Sequence, residues 1–193
     1  MIAGLVLAGG QASRLGGGDK PLLPLGAGTV LDLLLETLRH QVGKLAMSAN
    51  GDAARFARFG LPVLPDRADH AGPLAGVAAG LAWAAATGAD ALLTVPGDTP
   101  FIPADLVARL APAPAWAVSG GAIHPLVALW PASVAVRLAH WLEGGGDLRV
   151  KSFGRAIGMR AVSFADSPDP FFNINTPGDL LAAQGRAAGL PAR

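Results

Sequence analysis

Short apolar runs alternate with amphipathic stretches through the first hundred residues, and this alternation sets the fold class. Ile2–Leu7 is apolar throughout and ends in Gly9-Gly10, which predicts a strand buried on both faces that runs into a tight loop. Leu31, Leu34, Leu35 and Leu38 then fall at i, i+3, i+4 and i+7 behind Thr29, the spacing of a capped helix. Residues 45–49 predict a second strand, Ala53–Phe59 a short helix and 62–64 a third strand. Pro73 suits the first turn of a helix over 74–86, and 91–95 is a further buried strand. Strand and helix in this order predict an α/β protein with a mostly parallel central sheet and helices on both faces.

Ligands of such sheets bind at the carboxyl ends of the strands. The loops that follow the strands, 8–20, 48–52, 65–72 and 96–100, are therefore the candidate site, and all contain polar residues or glycine. Beyond Pro103 the runs at 115–118, 125–130 and 161–164, with helices between and after them, predict an extension of the same sheet whose strands need not be parallel. No linker, repeat or second core interrupts the chain, so 1–193 is expected to be one domain, with the end from 185 to 193 frayed.

Composition removes several kinds of chemistry. The chain has 15 basic and 14 acidic residues with no basic stripe, against a general nucleic-acid or membrane-surface role. It has no cysteine, which excludes disulfides, thiolate catalysis and Cys-ligated metals. Its four histidines, His40, His70, His124 and His140, are too widely spaced for a local zinc motif. The 26 glycines and 16 prolines indicate many turns without reaching the composition of a disordered chain. The apolar start is too short to span a membrane and lacks a basic flank, so a cytoplasmic protein is expected.

What remains for chemistry is carboxylates, lysines, arginines and backbone amides, and they gather first in residues 7–20. Gly9, Gly10, Gly16, Gly17 and Gly18 let the backbone approach a bulky ligand, while Arg14 and Lys20 bring positive charge. A phosphate cradle is one reading; a solvated glycine loop with two surface cations is the other. The segment is not a P-loop, since no Ser or Thr follows Lys20, and no G-x-G-x-x-G is present.

The segment LAGG-x3-R-x-G-x2-DK resembles the signature of nucleotidyltransferases with a Rossmann-like domain, and in detail that of the molybdenum cofactor guanylyltransferases. Gly72-Pro73-Leu74-Ala75-Gly76, Gly97-Asp98-Thr99-Pro100, His124-Pro125 and Asn173-Ile174-Asn175-Thr176-Pro177 support the likeness, which runs from Ile2 to about Ala182. It implies a Rossmann-like three-layer sandwich in which about 1–110 binds the nucleotide and about 111–185 binds the acceptor. Cytidylyltransferases of the same cofactor tend to have alanine where Gly9 stands. A methyl there would narrow the space beside the base, so Gly9 favours a purine.

The resemblance places GTP against Leu7, Ala8, Gly9, Gly10, Lys20, Ser48, Asn50, Asp66 and Asp98. It assigns catalysis to Lys20, Arg14 and Asp98, with Asp98 holding Mg2+, and it places the acceptor near Gly17, His124, Asn173 and Asn175. Five of these residues also have a plainer reading: Asp98 as a cap of the helix near Pro103, Asp66 as a turn residue, His124 as structural, and the two asparagines as caps of the helix at Thr176-Pro177. Ser48 departs from the Asn-x-Asn of relatives and shifts weight to Asn50. Gly97, a second departure, is expected to matter little to metal binding. The four tryptophans, each within an apolar run, read as core or interface.

The implied reaction is transfer of GMP from GTP to the terminal phosphate of molybdopterin with loss of pyrophosphate. A phosphate nucleophile is already anionic, so no general base is required. The competing readings are a cytidylyltransferase or sugar-phosphate nucleotidyltransferase on the same scaffold, and a non-catalytic GTP-binding module that delivers molybdopterin to a partner enzyme.

Overall fold

The computed structural model describes residues 1–9, 18–65 and 72–189. Its centre is a seven-stranded sheet in the order β5-β4-β1-β6-β8-β7-β9. Strands β1 (Ile2–Leu7), β4 (Lys44–Ser48), β5 (Val63–Leu64) and β6 (Ala91–Pro96) pair in parallel through the first half of the chain. Strand β8 (Ala122–Pro131) then runs antiparallel to β6 and to β7 (Ala115–Ser119), while β9 (Arg160–Ser163) is parallel to β7. The later strands thus extend the same sheet with mixed direction, as the change of pattern after Pro103 predicts.

Alternate residues of the central strands feed a core on each face. Val6, Met47 and Leu93 meet Leu31, Leu34 and Leu38 of α1 (Val30–Arg39), Phe56, and Leu106 of α3 (Leu106–Leu110). Their neighbours Leu5 and Leu92 face the other way, onto Leu74 and Leu81 of α2 (Pro73–Ala86), Leu138 of α4 (Ala135–Glu143) and Phe153 of α5 (Val150–Ala156). Gly80 permits α2 to lie close to the sheet, since a Cβ there would come within 2.4 Å of Leu5 Cδ2. Trp116 and Trp130 are buried in this second core, and Trp83 and Trp141 pack against it, in agreement with their reading as core residues.

Thr29 caps α1 through a reciprocal box with Asp32, as its position before the leucine repeat implies. The short helix expected over Ala53–Phe59 is present, and two other local features differ from the sequence reading. Residues Ala53–Phe59 form a 3-10 helix, held by the buried Phe56 and Phe59. A two-residue hairpin, β2 (Pro24–Leu25) and β3 (Gly28–Thr29), precedes α1 and is too short to leave a periodic pattern. The last helix, α6 (Pro177–Ala188), continues through Gly185, where fraying is expected, because Ala183 and Ala187 pack on Leu25, Val30, Phe101 and Ile174.

Candidate active site

The parallel strands end together at one edge of the sheet, where Ala8 and Gly9 follow β1, Ala49 and Asn50 follow β4, and Gly97 and Asp98 follow β6. The ladder persists past the strands: Ala8 N–H donates to Ser48 O at 2.8 Å, Ala49 N–H to Leu64 O at 3.2 Å and Gly97 N–H to Leu7 O at 2.9 Å. At this edge lies a cavity of about 360 Å3. Leu7, Ala8 and Gly9 form its wall beyond β1, Ser48 and Asn50 beyond β4, and Pro96 and Asp98 beyond β6. Lys20, Pro21 and Asn173 approach from one side, and the start of α2 borders it through Gly72, Pro73 and Gly76. Gly72, at φ +99°, makes the turn that a residue with a side chain rarely adopts.

Two charges 78 residues apart meet in this wall. Lys20 Nζ lies 3.2 Å from Asp98 Oδ2, with side-chain exposures of 16% and 18%. Asn173 Nδ2 donates to Asp98 Oδ1 at 3.0 Å and to Thr99 Oγ1 at 3.1 Å, while the Lys20 ammonium donates to Asn175 Oδ1. Ile174 N–H donates to Asp98 O at 3.0 Å, which fixes the segment between the two asparagines against the loop after β6. Neither asparagine caps α6. Thr176 does, in a box with Asp179, whose Oδ2 accepts from the amides of Asn175 and Thr176 at 3.0 and 2.8 Å. These bonds, the Asn175 amide first, hold the Asp179 carboxyl below its ordinary pKa, with Lys20 adding to the effect.

Asp98 likewise caps no helix: the residue before α3 is Asp105, and Asp98 turns to the cavity instead. Its surroundings fit a divalent cation that arrives with phosphate. Among the described residues no three His, Asp or Glu side chains converge as a complete metal cage. A lone carboxylate is nevertheless the kind of donor Mg2+ uses when substrate phosphates and water complete its shell.

The cavity gathers Leu7, Ala8, Gly9, Lys20, Ser48, Asn50, Asp98 and Asn173 from the sequence-derived set. Gly10, Arg14, Gly17 and Asp66 lie outside the described residues. The Ala8 amide is committed to Ser48 O, so Ala8 provides wall and no free donor. Among the described residues no heavy atom lies within 4 Å of where a Gly9 Cβ would stand, so on that side its face is open to a ligand. Gly97 is more constrained than the sequence suggests, since a Cβ there would lie 2.8 Å from Pro21 Cγ and 3.3 Å from Leu7 O, beside the residue that follows Lys20.

His124 is not among the residues lining the cavity; it sits on β8 two positions before Leu126, which does. Its Nε2 is 2.7 Å from Ser119 Oγ, which also donates to Asp169 Oδ1 at 2.8 Å, and its ring packs 5.0 Å from that of Phe171. Burial pushes the imidazole below its ordinary pKa, against the opposing pull of Asp169. Gly72 and Pro96 fall in the loops 65–72 and 96–100 that the sequence marks as the candidate site, whereas sequence reasoning did not assign Pro21, Pro73, Gly76 or Leu126 to it. The helix-start signal at Gly72-Pro73 was readable, but not where that helix end points.

A cation and a carboxylate facing one cavity at the carboxyl edge of an α/β sheet suit a phosphate-bearing ligand, and the chain's relatives make it an enzyme of the nucleotidyltransferase class. The chain belongs to the MobA-like NTP transferase domain family, whose model matches residues 4–157. It is 56% identical over 184 residues to a molybdenum cofactor guanylyltransferase of Acidiphilium cryptum, covering 95% of this chain and 94% of that one. It is 51% identical to another from Mesorhizobium japonicum, covering 94% of each. The fold is also that of molybdopterin-guanine dinucleotide biosynthesis protein A from Archaeoglobus fulgidus, with a TM-score of 0.73 at 20% identity over 97% of this chain and 100% of that one.

Proposed function

We propose that this protein transfers GMP from GTP to the terminal phosphate of molybdopterin, giving molybdopterin guanine dinucleotide and pyrophosphate. The reading is supported by the names of relatives identical at half or more of their positions. The single observation that carries it is the Lys20–Asp98 pair in the cavity wall, bracketed by Asn173 and Asn175. The N-terminal portion, to about residue 110, supplies the nucleotide walls, and about 111–185 the acceptor side.

In the reaction an oxygen of the pterin phosphate forms a bond to the α-phosphorus as the bond from that phosphorus to the β-phosphate oxygen breaks. The electron pair leaves with pyrophosphate. Lys20 balances charge on the triphosphate and on the departing group, and Arg14 joins it on the sequence reading. Asp98 is the residue that would hold Mg2+, which supplies charge neutralisation to the phosphates when bound. Leu7, Gly9, Ser48 and Asn50 line the space for nucleoside, with Gly10 and Asp66 added from sequence. Asn173 and Asn175 orient Asp98 and Lys20, and His124 and Gly17 belong to the acceptor side. Positioning and electrostatics account for catalysis, and no proton needs to be removed from an anionic nucleophile.

Incubation with GTP, Mg2+ and molybdopterin, followed by mass detection, tests the reading: a guanine dinucleotide is expected. A preference for CTP, or binding of GTP with no pyrophosphate formed, would overturn it.

A further inference from the structure

The 3-10 helix Ala53–Phe59 buries Phe56 and Phe59 and leaves two arginines, Arg55 and Arg58, to reach across the surface. Arg58 meets the start of α1, with Nη2 2.6 Å from Asp32 Oδ2 and 3.0 Å from Thr29 Oγ1. Arg55 joins two parts of the cavity rim. Its Nη2 donates to Asn50 O at 2.6 Å and its Nη1 donates to Asp52 O. Its Nε lies 2.7 Å from Asp19 Oδ2, and the guanidinium carbon stands 4.6 Å from the centre of the Phe56 ring.

The positions of those partners matter. Asn50 lines the cavity after β4, and Asp19 immediately precedes Lys20, which lines it from another side. Asp19 makes no side-chain cap in its own 3-10 turn, so its carboxylate is available to Arg55. Gly51, at φ +79°, makes the turn between Asn50 and Asp52, whose carbonyls both accept from one guanidinium. Exposures of 24% for Arg55 and 21% for Asp19 keep the pair largely out of solvent, where screening would weaken it. The two Nη groups serve both carbonyls, while Nε, which makes no hydrogen bond of its own, meets the Asp19 carboxylate as an ion pair; a lysine ammonium is a point charge on a flexible stem and cannot hold the same geometry.

We infer that Arg55 is a positioning residue for nucleotide binding: one guanidinium clamps the loop after β4 to the segment that delivers Lys20, and so sets the width of the nucleotide cleft. It acts through Asn50 and Lys20 and touches neither reacting atom. The inference rests on the proposed GTP site.

The test compares wild type with Arg55→Ala, Arg55→Lys and Asp19→Asn, using calorimetric titration with Mg2+ and GTP and steady-state transfer to molybdopterin. Arg58→Ala, on the same 3-10 helix, is the control for a merely structural contribution. Arg55→Ala is expected to weaken GTP binding and raise its KM about tenfold, with kcat within about twofold, because the loss falls on ground-state and transition-state binding alike. Arg55→Lys should recover less than half of that loss, and Asp19→Asn should reproduce most of it without altering the 3-10 helix. Combining Arg55→Ala with Asp19→Asn should add little, as expected for partners in one interaction. Arg58→Ala should leave both kinetic constants unchanged. Wild-type binding of GTP with unaltered affinity in Arg55→Ala and Asp19→Asn would overturn this inference alone. Failure of the wild type to bind GTP would overturn the nucleotide reading and this inference with it.

Discussion

Lys20 Nζ and Asp98 Oδ2 lie 3.2 Å apart in a wall where each side chain is less than one-fifth exposed. Each is the other's counter-charge before any substrate arrives. Removing one partner of such a pair leaves the other charge poorly solvated, so single neutralisations act on the site and on stability together. Lys20→Ala and Asp98→Ala are each expected to lower turnover by about two orders of magnitude or more, as loss of an electrostatic group at a transferring phosphoryl centre does. GTP-dependent pyrophosphate release measured on folded variants checks this; undiminished turnover in either rejects that residue's role.

The same pairing bears on free metal. Among the described residues Asp98 is the only carboxylate in the cavity lining, and an ammonium beside it repels a divalent cation. On the proposed mechanism a metal would therefore gain its place best with the triphosphate, whose charge would compete with Asp98 for Lys20. Lys20→Gln is expected to bind free Mn2+ about tenfold more tightly than wild type, as read by electron paramagnetic resonance without nucleotide. Reversal by a second change, Asp98→Asn, would locate the effect at this carboxylate. Equal Mn2+ affinity in wild type and Lys20→Gln contradicts it.

Gly9 offers a test of base size. A Cβ there would meet no heavy atom of the described residues within 4 Å, so Gly9→Ala should fold and melt as the wild type does. On the proposed GTP site the added methyl would enter the ligand's space instead. Loss of complementarity by one such group is worth about tenfold or more in a packed pocket, so the ratio of kcat/KM for GTP over CTP should fall by about that factor. A ratio that does not move sinks the assignment of this wall to the base.

Thr176 links helix capping to the site. Its hydroxyl accepts from the Asp179 amide, while Asp179 holds the Asn175 amide and Asn175 accepts from Lys20. Thr176→Ala should cost about 1 kcal/mol of stability, the usual cost of a lost cap. It should also lower turnover severalfold by loosening Asn175. Denaturant melts and steady-state rates on one preparation separate the two effects; a stability loss with full turnover would make the box structural only.

The features of this molecule that were legible in the sequence are those set by local pattern. The leucine spacing of α1, the Thr29 cap, the Pro73 helix start and the buried strands β1 and β6 all stand where periodicity and caps place them. Lys20 and Asp98 were legible as types of residue in suitable loops, but their contact joins positions 78 apart and required the fold. The asparagines illustrate the limit. Cap chemistry admits Asn before a helix, and only the tertiary position of Asp98 and Lys20 shows that both side chains turn away from α6. Arg55 left no signal at all, because a charged residue on a short helix reads as a solvated face until Asp19 and Asn50 are seen beside it.

His124 provides a pH dependence whose sign can be worked out. Its surroundings are Ser119, Asp169, Phe171 and, by charge, Lys151. Burial is the largest influence and favours the neutral ring, so the folded pKa lies below the ordinary 6.5, although Asp169 opposes the shift. Between those two values the unfolded chain binds more protons than the folded one, so stability rises with pH there. The contribution is complete above the unfolded value and is lost as pH falls through the folded one. His124→Gln removes this titration. It should melt below the wild type near neutral pH, through the lost ring packing on Phe171, and the gap should narrow as the solution is acidified. Melting curves of both proteins across that range provide the measurement, and a gap that stays constant with pH would show that His124 does not titrate with folding.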